Sequence, residues 1–166
     1  MQTVDFELLE EQLRALLAGE SDFIANAANF AAFVYDALPE VNWAGFYLET
    51  SDGLVLGPFA GRPAAARIAL GQGVCGRAFA EAQTVVVDDV NAFAGHITCD
   101  PASRSELVVP LLADGLPFGV FDLDSPRLGR FTESDRCGIE GLVATFLTST
   151  AIPDTYTEHR SRSEAT

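Results

Sequence analysis

Lysine is absent from this chain of 166 residues, so its ten basic side chains are all arginine, set against 24 acids for a net charge of −14. A surface of that sign repels phosphate backbones and anionic headgroups, so neither nucleic acid nor membrane is an expected partner. No apolar run approaches the roughly 18 residues of a membrane span. A basic stretch leading into an apolar one is also missing from the N-terminus, so no signal peptide is expected and the cytoplasm is the default location. Cysteine is scarce: Cys75, Cys99 and Cys137 form no CxxC pair. That disfavours a disulfide scaffold and a cysteine-rich zinc site, leaving structural filler or a reactive thiol. Internal repeats and low-complexity segments are lacking too.

What is present suits one domain over residues 1–152, with a polar, frayed tail over 153–166. Residues 5–18 read as an acidic amphipathic helix ended by Gly19, and Ser21 as the cap of a second helix closed by Pro39. Strand patterns follow in WAGFYLE, LVLGPFAG and ARIAL. After Gly71 and Gly73 come a short helix, VCGRAFAEA, and a strand, TVVVDDV. A long polar loop then leads to ELVVPLLA and LPFGVFDLDS, a hairpin around Asp114-Gly115. Thr132 and Asp135 read as a capping box opening the last helix. The fold class is α+β, an antiparallel sheet of about six strands flanked by helices and covered by them on one side.

The loop GHITCDPASRSELVVPL carries the first chemical signal. Asp100-Pro101 reads as a helix start, which would set the Cys99 thiol near a positive helix end and lower its pKa, with Arg104 assisting and Asp100 and Glu106 opposing. A Cys99–His96 dyad is disfavoured, because residues three apart in a loop rarely meet the geometry and no orienting partner is evident. Cys75, Cys99, His96 and His159 show no zinc-ligand spacing. Cys75 sits in an apolar helix and reads as packing; Cys137 lies off the apolar stripe of the last helix and reads as filler.

Carboxylates give the second signal. Asp122 and Asp124 are two apart on a strand and share a face, and the neighbouring strand begins at Glu106. The three either line one pocket, with at least one kept protonated by crowding, or Asp124 merely opens a turn with Ser125-Pro126. Trp43 and Tyr47 share a face of the first strand, as core or as an aromatic wall.

Together NWAGFYL, GPFAGRPAAARI, LGQGVCGRAFA, DDVNAFAGHITCDPASRSELVVPL and GVFDLDSPRLGRF resemble the free methionine-(R)-sulfoxide reductases, a catalytic branch of the GAF-domain superfamily. The resemblance implies a GAF fold, no bound cofactor, a homodimer, and reduction of free L-methionine-(R)-S-oxide through a sulfenic acid recycled by thioredoxin and NADPH or another thiol. It further implies Cys99 as nucleophile, Cys75 in the same pocket, Trp43 and Tyr47 against the substrate, and Glu106, Asp122 and Asp124 as its polar wall. Ala65 stands where the family usually has a resolving cysteine, so resolution falls to Cys75 or to an external thiol. The competing reading is a non-catalytic GAF module that binds a small ligand.

Overall fold

A computed structural model describes residues 4–95, 97 and 100–156. Cys99, His96 and His159 lie outside the described residues, as does the tail beyond Tyr156.

Two helices open the chain, α1 (Phe6–Leu17) and α2 (Phe23–Ala37). Asp5 and Asp22 cap them by accepting amide hydrogens of Leu8 and Ala25, which satisfies donors a helix start otherwise leaves open. The cap of α2 is therefore Asp22 and not Ser21. Strands β1 (Trp43–Thr50), β2 (Gly53–Gly61) and β3 (Arg67–Ile68) follow, then α3 (Gly73–Glu81), β4 (Val85–Val87), β5 (Ser105–Ala113), β6 (Leu116–Ser125) and α4 (Glu133–Ser149). All pairings are antiparallel in the order β3-β2-β1-β6-β5-β4. The stretch ARIAL contributes only two residues to the sheet.

The β5–β6 hairpin turns at Asp114 and Gly115, both at positive φ (+51° and +80°). That is the geometry that favours Asp-Gly in a two-residue hairpin loop.

Alternation along the strands sorts side chains onto two faces. Ala44, Phe46, Leu48, Leu107, Val109, Leu111, Phe121 and Leu123 pack against α1, α2 and α4. Phe30 meets Phe121 edge-on at 4.7 Å and Phe146 at 5.1 Å, and each such buried ring contributes about 2 kcal/mol or more. Helix α3 lies on the opposite face, where Val74, Cys75, Ala78 and Phe79 meet Trp43, Tyr47, Val108 and Val120. The helices thus flank both faces, and the expected one-sided cover is corrected: strands buried on both faces need a layer on each.

The capping box of α4 forms as read. Arg130, 4% exposed, reaches Asp135 at 3.0 Å and donates to the Pro39 carbonyl, fastening α4 to the end of α2. At the other end, Tyr156 packs its ring against Phe23 and Phe118. Among the described residues no helix is long and apolar enough to cross a membrane.

Candidate active site

The face that carries α3 also carries the sheet's acids. Pairing sets Glu106 opposite Asp124, and Asp124 opposite Trp43; Gly45 stands opposite Asp122 and Tyr47 opposite Val120. With alternation fixed, Glu106, Asp122, Asp124, Trp43 and Tyr47 all project toward α3. Cys75 comes down from the first turn of α3, its Sγ 4.0 Å from Glu106 Oε1.

Cys75, Glu106, Asp122 and Asp124, with Ile68, Gly73, Val74 and Ile97, enclose a space of about 10 Å³. That holds about one water, so the wall must part to admit anything the size of an amino acid. Glu106, Asp122 and Asp124 are each no more than 5% exposed. Burial pushes the Asp122 carboxyl up to about 7, although hydrogen bonds with Cys75 and Glu106 pull the other way. Asp124 also lies well above the carboxylate range, through burial first and then the negative charges of Asp122 and Asp100. Burial likewise raises the Cys75 thiol, with Asp122 and Glu106 adding to it. The site therefore holds a carboxylic acid able to give up a proton near neutral pH.

Ligand atoms of Cys75, Glu106 and Asp122 lie within 4.8 Å of one another, the one such trio of potential metal donors among the described residues. A metal requires deprotonated donors, and the Cys75 thiol and Asp122 carboxyl are both shifted toward their protonated forms.

Trp43 and Tyr47 form the wall beside the acids, stacked at 5.9 Å, and Phe59 also stacks on Trp43 at 5.5 Å. Their polar ends are tied to one connection: Trp43 Nε1 donates to the Arg62 carbonyl and Tyr47 Oη to the Ala65 carbonyl. The residue at position 65 thus sits against this wall through its backbone, whatever its side chain.

Two expectations need correction. Asp100-Pro101 does not start a helix. Asp100 Oδ1 accepts from the Ala102 amide and its carbonyl from the Ser103 amide. Arg104 then donates its amide to the Ser125 carbonyl, so the chain joins the sheet before a helical turn can complete. The supposed helix dipole near Cys99 is lost with it. Cys75 is not packing alone, since its sulfur faces the acids. Cys137 is exposed, as its place off the apolar stripe of α4 implies.

Asn42 was missed from sequence. It donates to Asp100 Oδ2 and to Ser103 Oγ, both at 3.2 Å, and so ties the loop after Cys99 to the start of β1. The only available signal was an amide directly ahead of Trp43.

The fold and this cluster define a GAF domain with a thiol-and-carboxylic-acid pocket, and a sequence profile of the GAF domain matches residues 25–146. The free methionine-R-sulfoxide reductase of Escherichia coli is 50% identical over 136 residues, covering 82% of each chain. The fRMsr of Staphylococcus aureus in complex with substrate superposes with a TM-score of 0.86 at 41% identity, over 91% of this chain and 99% of that one. The free methionine-R-sulfoxide reductase of Neisseria meningitidis, also in complex with its substrate, gives 0.84 at 42% identity, over 90% and 92%. The chain belongs to the free methionine-(R)-sulfoxide reductase family, a family of oxidoreductases.

Proposed function

We propose that the protein reduces free L-methionine-(R)-S-oxide to L-methionine, with Cys99 as nucleophile and the acids of the β5–β6 pair as proton source. The observation that carries this reading is the buried Cys75–Glu106–Asp122–Asp124 cluster beside the Trp43–Tyr47 wall, with Asp122 poised near pH 7. A sulfoxide sulfur accepts a thiolate poorly until its oxygen is hydrogen-bonded or protonated. A carboxylic acid held beside the pocket supplies that proton.

Cys99 follows Ile97, which lines the pocket, and precedes Asp100, which Asn42 holds. In the proposed step the thiolate attacks the sulfoxide sulfur as an acid protonates the oxygen. The oxygen then passes to Cys99, which becomes a sulfenic acid, a two-electron oxidation balanced by reduction of sulfoxide to thioether. A second thiol condenses with the sulfenic acid, releasing water and leaving a disulfide. Thioredoxin or a small dithiol reduces that disulfide. Cys75 is one candidate for the second thiol and an external thiol the other; Ala65 removes the third. Carboxylates not used as acid hold the substrate ammonium, and the aromatic wall seats the S-methyl end. The family resemblance supports a cytoplasmic homodimer with no bound cofactor.

The test is NADPH consumption with thioredoxin and its reductase, on R and S epimers, with Cys99→Ser alongside. R-specific turnover that vanishes in the variant supports the reading. No turnover, even with dithiothreitol, would leave a non-catalytic ligand-binding module.

A further inference from the structure

Asp124 lines the pocket and is 4% exposed. Three hydrogen bonds of one residue, Asn42, converge on it and on the chain that leads into β5. The Asn42 backbone amide donates to the Asp124 carbonyl at 3.0 Å. Its side-chain Nδ2 donates to Asp100 Oδ2 and to Ser103 Oγ, both at 3.2 Å. Ser103, itself buried, hydrogen-bonds through its hydroxyl to the Asp124 carboxyl. Asn42 thus reaches Asp124 twice, once through the backbone and once through Ser103.

The chemistry of the partners fixes the direction of this chain. A carboxylate accepts and does not donate, so the end of Asn42 that meets Asp100 is its NH2 group. The same group fills a lone pair of Ser103, and a hydroxyl has one hydrogen to give. That hydrogen is left for Asp124. Asn42 Oδ1 is sealed from solvent and has no hydrogen-bond partner among the described residues, an unfavourable state. The side chain is therefore placed by its donors, at a cost to its acceptor.

Ser103 and Asp100 act on Asp124 in opposite senses. The hydroxyl favours the ionised carboxyl and the neighbouring negative charge disfavours it, and Asn42 holds both. The other groups that face Asp124 are Asp122 on its own strand, Glu106 opposite on β5 and Cys75 on α3.

We propose that Asn42 is a positioning residue for the reaction: its amide holds Ser103 and Asp100 against Asp124, so that the Asp124 carboxyl meets the substrate in one fixed orientation. This deepens the reductase reading and rests on it.

The experiment is a double-mutant cycle on turnover of methionine-(R)-sulfoxide, with wild type, Asn42→Ala, Ser103→Ala and the double variant, each measured well below its melting transition. Either single variant should lower kcat/KM about tenfold, the worth of one hydrogen bond. The double variant should also lose about tenfold, because members of one network do not add. Ser103→Ala removes a donor to a carboxylate, so it should move the alkaline limb of the kcat/KM profile to higher pH. With Asn42 already replaced, Ser103→Ala should move that limb no further. A loss of about a hundredfold in the double variant, the product of two independent effects, would overturn the assignment. So would lower melting temperatures with unchanged kcat/KM and pH profile, since that outcome leaves Asn42 a purely structural tie. If Asn42→Ala does not fold, Asn42→Asp replaces it, keeping the shape while exchanging the donor for an acceptor. Absence of wild-type turnover, even with dithiothreitol, would sink the reductase reading instead. The same cycle is then read on the rate of Cys75 alkylation by iodoacetamide, because the Asp124 charge bears on that thiol: coupled effects support the assignment, and additive or absent effects refute it.

Discussion

Cys75 Sγ stands 4.0 Å from Glu106 Oε1 across 31 residues of sequence, thiol and carboxyl sharing one sealed pocket. Because burial and the neighbouring acids both favour the neutral thiol, Cys75 in the resting protein is a weak nucleophile. Iodoacetamide at neutral pH should therefore label exposed Cys137 while Cys75 reacts at least about tenfold more slowly. Peptide mapping by mass spectrometry reads the two rates, and equal labelling would contradict the sealed, protonated thiol.

The acid assignment predicts amide variants that fold yet fail to turn over. Asp122→Asn should lower kcat by about a hundredfold or more, the usual worth of a positioned general acid. Glu106→Gln and Asp124→Asn divide between kcat and KM according to which group holds the ammonium. Full activity in all three would refute a carboxylic acid as the proton source.

The pH dependence follows from the raised carboxyl. Asp122 moves from 3.8 to about 7 on folding, so between those values the folded state binds more protons than the unfolded one. Its contribution to stability is complete below about pH 4 and is lost as pH rises through about 7, by at most about 1.4 kcal/mol per pH unit. Melting temperatures from pH 4 to 8 should fall on this account, and Asp122→Asn should flatten that slope. Turnover should fade on the same alkaline side, with an apparent pKa that belongs to the interacting acids jointly. An unchanged slope in the variant would remove Asp122 as the titrating group.

Gly45 is predicted to be irreplaceable beside the aromatic wall. A Cβ there would lie 2.4 Å from Phe59 Cβ and 2.6 Å from the Trp43 ring. Gly45→Ala should cost about 1–3 kcal/mol by overpacking, shift the emission of the sole tryptophan and raise KM. Denaturant unfolding and fluorescence measure both effects.

Arg130 offers a contrast remote from the chemistry. Arg130→Met strips a buried partner from Asp135 and should destabilise by about 3–5 kcal/mol. KM below the melting transition should stay at the wild-type value, and a changed KM would show that the pair also shapes the site.

Sequence by itself determined the elements whose signals are local. The period of the helices, the Asp114-Gly115 turn, the Thr132–Asp135 box and the shared faces of Asp122 with Asp124 and Trp43 with Tyr47 all follow from spacings of two to four residues, which the backbone converts directly into direction. The family motifs named the rest of the cluster by resemblance. Tertiary structure alone decided what meets across long separations. It put α3 on the opposite face from the other helices, so that Cys75 reached the acids and did not disappear into packing. It turned Asp100-Pro101 into a tight turn, because Arg104 is drawn into the sheet by Ser125 and Val90, an attraction no local window contains. It gave Asn42 its two partners. Burial also set the protonation state of Asp122: strand alternation supplied the carboxylate's direction, but only the closing of a second layer over it removed the water that would have kept it ionised.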